Sequence, residues 1–190
     1  MEKTDLQLIE ESTHPTDRHT KGRASFNIIV DRYASSVYFF IFRLTGSKED
    51  SEDIAQETFI KAWQKLSKFD TNKNFKTWLF SIAKNTAIDK SRKKKSINFS
   101  SLNIDEDFDF ESSLPDTEPL QDEIFTKKES EENLKEALDK LSDNQRLLIY
   151  LHINEELTFE EIAGVLDKPM NTVKSQYGRA LSKLKELLKN

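Results

Sequence analysis

Two groups of side chains in this chain have the chemistry to hold nucleic acid. The first closes a helix, where Asn85 and Asp89 precede Lys90, Arg92, Lys93, Lys94 and Lys95, with Phe75 and Trp78 upstream. Ammonium and guanidinium groups hold phosphates while rings stack on unpaired bases, a combination suited to single strands. Taken one at a time, Trp63, Phe75 and Trp78 read more readily as core, since aromatics at helical spacing pack inward. The second group lies near the C-terminus. There a short helix, a tight turn and a basic helix form a helix-turn-helix pattern. The exposed face of its last helix offers Thr172, Lys174, Ser175, Gln176, Arg179 and Lys183.

Other chemistries find little support. His14, His19 and His152 are isolated and fit no triad or metal-ligand spacing. Asp53 and Glu57 stand four apart and could share a cation, but carboxylates on a helix surface are usually just solvated. Four scattered glycines make no phosphate-cradling loop, and zero cysteines exclude disulfides and thiolate-bound metals. The expectation is a protein with no catalytic residues, no cofactor and no metal. It has no apolar run long enough to span a membrane and no signal-peptide core, which suits a cytoplasmic location.

The elements that position these groups are helical. Phe26, Ile29, Val30, Tyr33, Val37, Phe40, Ile41 and Leu44 follow the 3-4 repeat of a long helix from about Ala24, which Gly46 ends. Ser47 caps the next, with Glu49, Asp50, Glu52 and Asp53 against its positive end. Ile54, Phe59, Trp63 and Leu66 form its apolar face, and Asp53, Gln56, Glu57 and Lys61 the opposite polar stripe. After the polar loop Asp70 to Asn74, Phe75, Trp78, Leu79 and Ile82 start another helix. In the C-terminal part Ser142 with Gln145, and Thr158 with Glu161, read as capping boxes. The turn Asp167-Lys168-Pro169-Met170 follows, and Asn171 or Thr172 caps the final helix.

Charge divides the 190 residues unevenly beneath a net of -5. Residues 1–95 are net +5, residues 96–126 net -9 with no base at all, and residues 127–190 net -1. An acidic total therefore does not argue against nucleic-acid binding. The acidic segment has two prolines and phenylalanines without helical period, so it reads as an extended connection. It is either a passive tether or a phosphate mimic lying in a basic channel. Residues 1–23 read as a mobile tail, with a short helix around Leu6 to Glu10.

The wording of two stretches goes beyond pattern. FRLTGSKEDSEDIAQ, EDIAQETFIKAW and FKTWLFSIAKNTAIDKSRKK resemble region two of bacterial RNA polymerase sigma factors, closest to the extracytoplasmic-function (ECF) class. TFEEIAGVLDKPMNTVKSQYGRALSKLKELL resembles region four, the reader of the minus-thirty-five element. The resemblance implies an all-α protein of two small helical domains joined by an acidic flexible linker. Residues 24–95 would be region two, 96–128 the linker and 129–190 the helix-turn-helix domain of region four. Its partners would be core RNA polymerase, promoter DNA as duplex and as non-template single strand, and in some circumstances an anti-sigma factor.

The resemblance also assigns residues. Asp53, Gln56, Glu57, Ile60 and Lys61 would dock the coiled coil of the largest polymerase subunit. The loop from Phe69 through Asp70 and Asn74 to Phe75 would receive a flipped minus-ten base. Asn85 would read a neighbouring base edge, with Lys84, Arg92 and Lys93 on the phosphates. The helix-turn-helix residues named above would face the minus-thirty-five element. At three positions the chain departs from the family's habit: Asp167 and Asn171 stand where glycine is common, and Gln176 follows TVKS where arginine is common. Gly178 adds a weak point, about 1 kcal/mol in a helix interior. A helix-turn-helix regulator acting without core polymerase is the alternative, and an interaction protein with vestigial DNA surfaces a third reading.

Overall fold

The computed structural model describes residues 3–14, 20–94 and 130–189, so the acidic linker lies outside the described residues. Every regular element among them is helical: α1 (Asp5–Thr13), α2 (Lys21–Thr45), α3 (Lys48–Lys65), α4 (Phe75–Lys94), α5 (Ser130–Asp139), α6 (Asp143–Ile149), α7 (Phe159–Leu166) and α8 (Met170–Lys189). A single 3-10 turn, Leu66–Lys68, follows α3, and a π-helical segment, Tyr150–Asn154, continues α6.

The short helix expected around Leu6 to Glu10 is present as α1, but it is docked on the protein rather than part of a mobile tail. Thr4 and Gln7 form a reciprocal capping box, at 3.3 and 3.0 Å, that starts α1. Leu8 and Ile9 are buried against α2, and Asp5 accepts hydrogen bonds from Arg32 and the Tyr33 hydroxyl. Burial, with the hydrogen bond to Asp5, pushes the Tyr33 hydroxyl above its ordinary pKa. Gly22 permits the contact, because a Cβ there would sit 3.1 Å from the Ser12 carbonyl oxygen. The segment is docked because two apolar residues and one acid find partners on a helix some twenty residues later.

Helix α2 buries Phe26, Ile29, Tyr33, Val37, Phe40, Ile41 and Leu44 along one side. It ends at Gly46, whose φ of 65° is left-handed and whose N–H reaches the Phe42 carbonyl at 2.9 Å. Ser47 then caps α3 by accepting from the Asp50 N–H at 3.2 Å. Helix α4 is buried on more than one side: Phe75, Leu79 and Ile82, but also Phe80, Ala83, Lys84, Thr86 and Ala87. Phe80 meets Phe40 edge-on, with centroids 4.9 Å apart.

In the C-terminal part both expected capping boxes form, Ser142 with Gln145 and Thr158 with Glu161. Thr158→Ala is expected to lower stability by about 1 kcal/mol, read from the denaturant midpoint. Asp167 closes α7 in the left-handed region at φ 54°. Helix α8 begins earlier than the cap residues Asn171 or Thr172 suggested: the Val173 N–H already bonds the Pro169 carbonyl at 3.1 Å. It continues through Gly178 without a break. One apolar core runs from Leu8 to Val173, taking in residues of both helical units. A smaller one gathers Ala137, Leu141, Ile149, Ala180 and Leu184. The two units are therefore packed together, with α4 against α7 and α2 against α6.

Candidate polymerase and nucleic-acid interfaces

Helix α3 spends Ile54, Ala55, Thr58, Phe59 and Ala62 on the core, which turns its other face outward. Asp53, Gln56 and Ile60 are exposed there, Ile60 at 58%, and an isoleucine so open beside carboxylates suits a protein partner. The face is also tied to α4. Lys61 pairs with Glu57 at 2.9 Å, lies 3.9 Å from Asp89 and donates to the Thr86 hydroxyl at 3.3 Å. Lys90 pairs with Asp53 at 2.9 Å. A cleft of about 470 Å³ between the two helices is lined by Glu57, Lys61, Asp89, Lys90 and Arg92.

The residues expected at the minus-ten element divide into two sets. Asp70, Asn74, Asn85 and Arg92 are exposed. Phe69 and Phe75 are not: they are 8% and 4% exposed, and their rings pack with Trp78 and Tyr33 at centroid distances of 5.0 to 5.7 Å. Of the loop expected to receive a flipped base, these two rings are packed into the core, and Asp70 and Asn74 are its exposed residues. The loop above is ordered by Asp70, whose side chain accepts from the Asn72 N–H at 3.1 Å and from its amide at 3.0 Å. These bonds hold the Asp70 carboxyl below the ordinary range. Asn74 caps α4 by accepting from the Thr77 N–H at 3.2 Å. Lys84, expected on a phosphate, is buried and bonded to Asp167 instead. The Lys93 side chain lies outside the described ones.

In the helix-turn-helix, Lys174, Arg179 and Lys183 are exposed on α8, with Thr172 and Ser175 half-buried beside them. Gln176 departs from the expected DNA-facing set. It is 8% exposed, turned into the stripe of Val173, Ala180 and Leu184, and its amide oxygen has no hydrogen-bond partner. The helix is held by Tyr177, packed edge-on against His152 at 4.8 Å and Phe159 at 5.2 Å. Burial raises the Tyr177 hydroxyl pKa.

Contacts between the units were not foreseen from sequence. Lys76 pairs with the buried Glu155 at 3.2 Å and donates to its carbonyl at 2.9 Å. Tyr150 donates to Glu155 at 2.6 Å and lies 3.3 Å from the Ser36 carbonyl. Asn74 donates to Glu161 at 2.7 Å. Burial, with Lys84 nearby, lowers the Lys168 pKa to about 8. Among the described residues no cluster of His, Cys, Asp or Glu is placed to hold a metal, and no helix is long and apolar enough to cross a membrane.

A helix-turn-helix on one unit and a basic helix beside an exposed face on the other are features of a DNA-binding protein with a surface open to a partner. The Sigma-70 region 2 model matches residues 29–97, and the Sigma-70 region 4 model residues 131–184. The chain is 33% identical over 168 residues to the ECF RNA polymerase sigma factor SigW of Bacillus subtilis, covering 87% of this chain and 90% of that protein. It is 31% identical over 171 residues to the ECF RNA polymerase sigma-E factor of Haemophilus influenzae, covering 88% and 87%. Among solved structures, the sigma factor RpoE of Bartonella quintana, in complex with the anti-sigma factor NepR, aligns with a TM-score of 0.57 at 28% identity, over 86% of this chain and 96% of that one. The chain belongs to the ECF RNA polymerase sigma factors. As such it acts with RNA polymerase in transcription initiation and is not itself an enzyme.

Proposed function

We propose a division of labour on this chain. The open face of α3, through Asp53, Gln56, Glu57, Ile60 and Lys61, docks core polymerase. Helix α4 and the loop before it capture the minus-ten strand, and α8 meets the minus-thirty-five duplex through Thr172, Lys174, Ser175, Arg179 and Lys183. The carrying observation is the exposed polar face of α3, with Ile60 at its centre, on a helix whose other side is already spent on the core. The protein makes no bond; it lends promoter reading and strand opening to a polymerase that does the chemistry, which places it in the cytoplasm. RpoE of Bartonella quintana is bound by an anti-sigma factor, and a similar inhibitor is a fitting partner here. Reconstituted transcription with core polymerase tests the assignment. Promoter-specific starts that depend on this chain support it, and DNA binding without any effect on polymerase favours the stand-alone regulator.

Asn85 carries the sharpest expectation for base reading. Its exposed amide offers donor and acceptor together, which suits one base edge. Asn85→Ala is expected to lose about 1–3 kcal/mol of discrimination at one minus-ten position. Lys93→Ala should weaken binding across all sequences and flatten the salt dependence. A promoter library with single-base changes, read with both variants, makes the comparison. If wild type and Asn85→Ala rank the bases alike at every position, Asn85 reads nothing.

A further inference from the structure

The turn between α7 and α8 holds a lysine in an unusual setting. Asp167, left-handed at φ 54°, precedes Lys168 and Pro169 follows it, and the Lys168 N–H bonds the Ala163 carbonyl at 3.0 Å. The backbone is thus fixed on both sides of Lys168, which fixes where its stem starts. The side chain is half-buried, with Lys84 as its charged neighbour. The adjacent carboxylate gives no help, because Asp167 is spent on Lys84. Among the described residues the Lys168 ammonium meets no carboxylate and no hydrogen-bond acceptor. Lys61, Lys76 and Lys90 are also half-buried, and each has an acid within 3.2 Å. Lys168 stands apart from them as an enclosed cation facing a second cation.

We propose that Lys168 is an acyl-acceptor site, its amine taking an acyl group from an acyl phosphate ahead of the protein's exposed lysines. Burial and a neighbouring cation both disfavour the charged form, and only the neutral amine is a nucleophile. Burial, with Lys84 beside it, lowers the Lys168 pKa to about 8. Near pH 7.5 about a quarter of Lys168 is then free amine, against about a thousandth of an ordinary lysine. A less basic amine is also a weaker nucleophile, which returns part of that gain. Half-burial leaves the amine open to a small reagent. In the step, the Lys168 nitrogen attacks the acyl carbonyl carbon and a C–N bond forms. The C–O bond to phosphate breaks, phosphate leaves with the electron pair, and the amine's proton passes to water. The product is a neutral amide, so the repulsion with Lys84 is removed.

The test treats the full chain with acetyl phosphate and follows each lysine by digestion and mass spectrometry. Lys168 is expected to react roughly tenfold faster than Lys174 and Lys183, which are exposed on the same unit. Its rate should level off above about pH 8, where the amine is already neutral, while theirs climb on toward pH 10. In urea the preference should vanish, because the burial and the second cation belong to the fold. Lys84→Met removes the neighbouring charge, keeps a long unbranched side chain in a buried site, and leaves the Asp167 carboxylate to Lys168. The Lys168 rate should then fall at least threefold, with circular dichroism confirming the fold. Should that variant not fold, the wild-type pH profile and the urea control decide alone. Labelling of Lys168 no faster than of Lys174 and Lys183, or a rate that climbs with pH as far as theirs, overturns the proposal. A preference that persists in urea overturns it as well, since local sequence would then be the cause.

Discussion

Reversing Asp53 and Glu57 to lysine together is expected to lower affinity for core polymerase about a hundredfold, because like charges placed against a complementary partner patch cost several kcal/mol. Helicity should survive. Both residues point away from the core, and the ion pairs they make with Lys90 and Lys61 are partly exposed, worth about 0–1 kcal/mol each. The measurement is a titration of labelled core polymerase with wild type and the double variant, with circular dichroism as the control. Unchanged affinity would move the polymerase site off this face. Ile60→Ala should weaken binding in the same titration without touching charge, as an exposed apolar anchor would.

Phe80→Ala is expected to have the largest effect on stability, about 3–5 kcal/mol from the lost side chain and the cavity left behind. The ring is 1% exposed and meets Phe40, itself fully buried, edge-on at 4.9 Å, which adds about 0.5–1.5 kcal/mol beyond area. Against a typical total of about 5–15 kcal/mol, the loss would leave much of the protein unfolded near its working temperature. Urea denaturation followed by helical signal gives the number. A shift below 1 kcal/mol would mean that the α2–α4 contact is looser than the packing indicates.

What was legible in the sequence was what is local. Ser47, Ser142 and Thr158 announce their helices because a cap and its partner lie within three residues of each other. The same signature at Thr4 and Gln7 was present and marks α1, with Leu8 and Ile9 behind it. Gln176 could also have been placed: Val173, Gln176, Ala180 and Leu184 advance by three, four and four, the step of a buried stripe. Polar type suggested a reader of DNA where spacing pointed inward. Helix α4 misled differently. A helix buried on several sides has no single apolar face, so its second contact, with region four, leaves no periodic trace. Lys84 and Asp167 are 83 residues apart across a linker without helical period, and no local rule joins them.

The cap at the start of α4 has one more consequence. Glu161 closes the Thr158 box with one oxygen, 2.8 Å from the Thr158 N–H, and accepts from Asn74 with the other, while Asn74 caps α4. Initiation of two helices from opposite halves of the chain is thus written into a single pair of side chains. Each residue answers to a local demand and a distant one, so the bond between them couples the two helix starts while the units are packed together. Transplanting a foreign region four onto this region two would therefore be more than joining beads on a string, because the junction has its own lock and key.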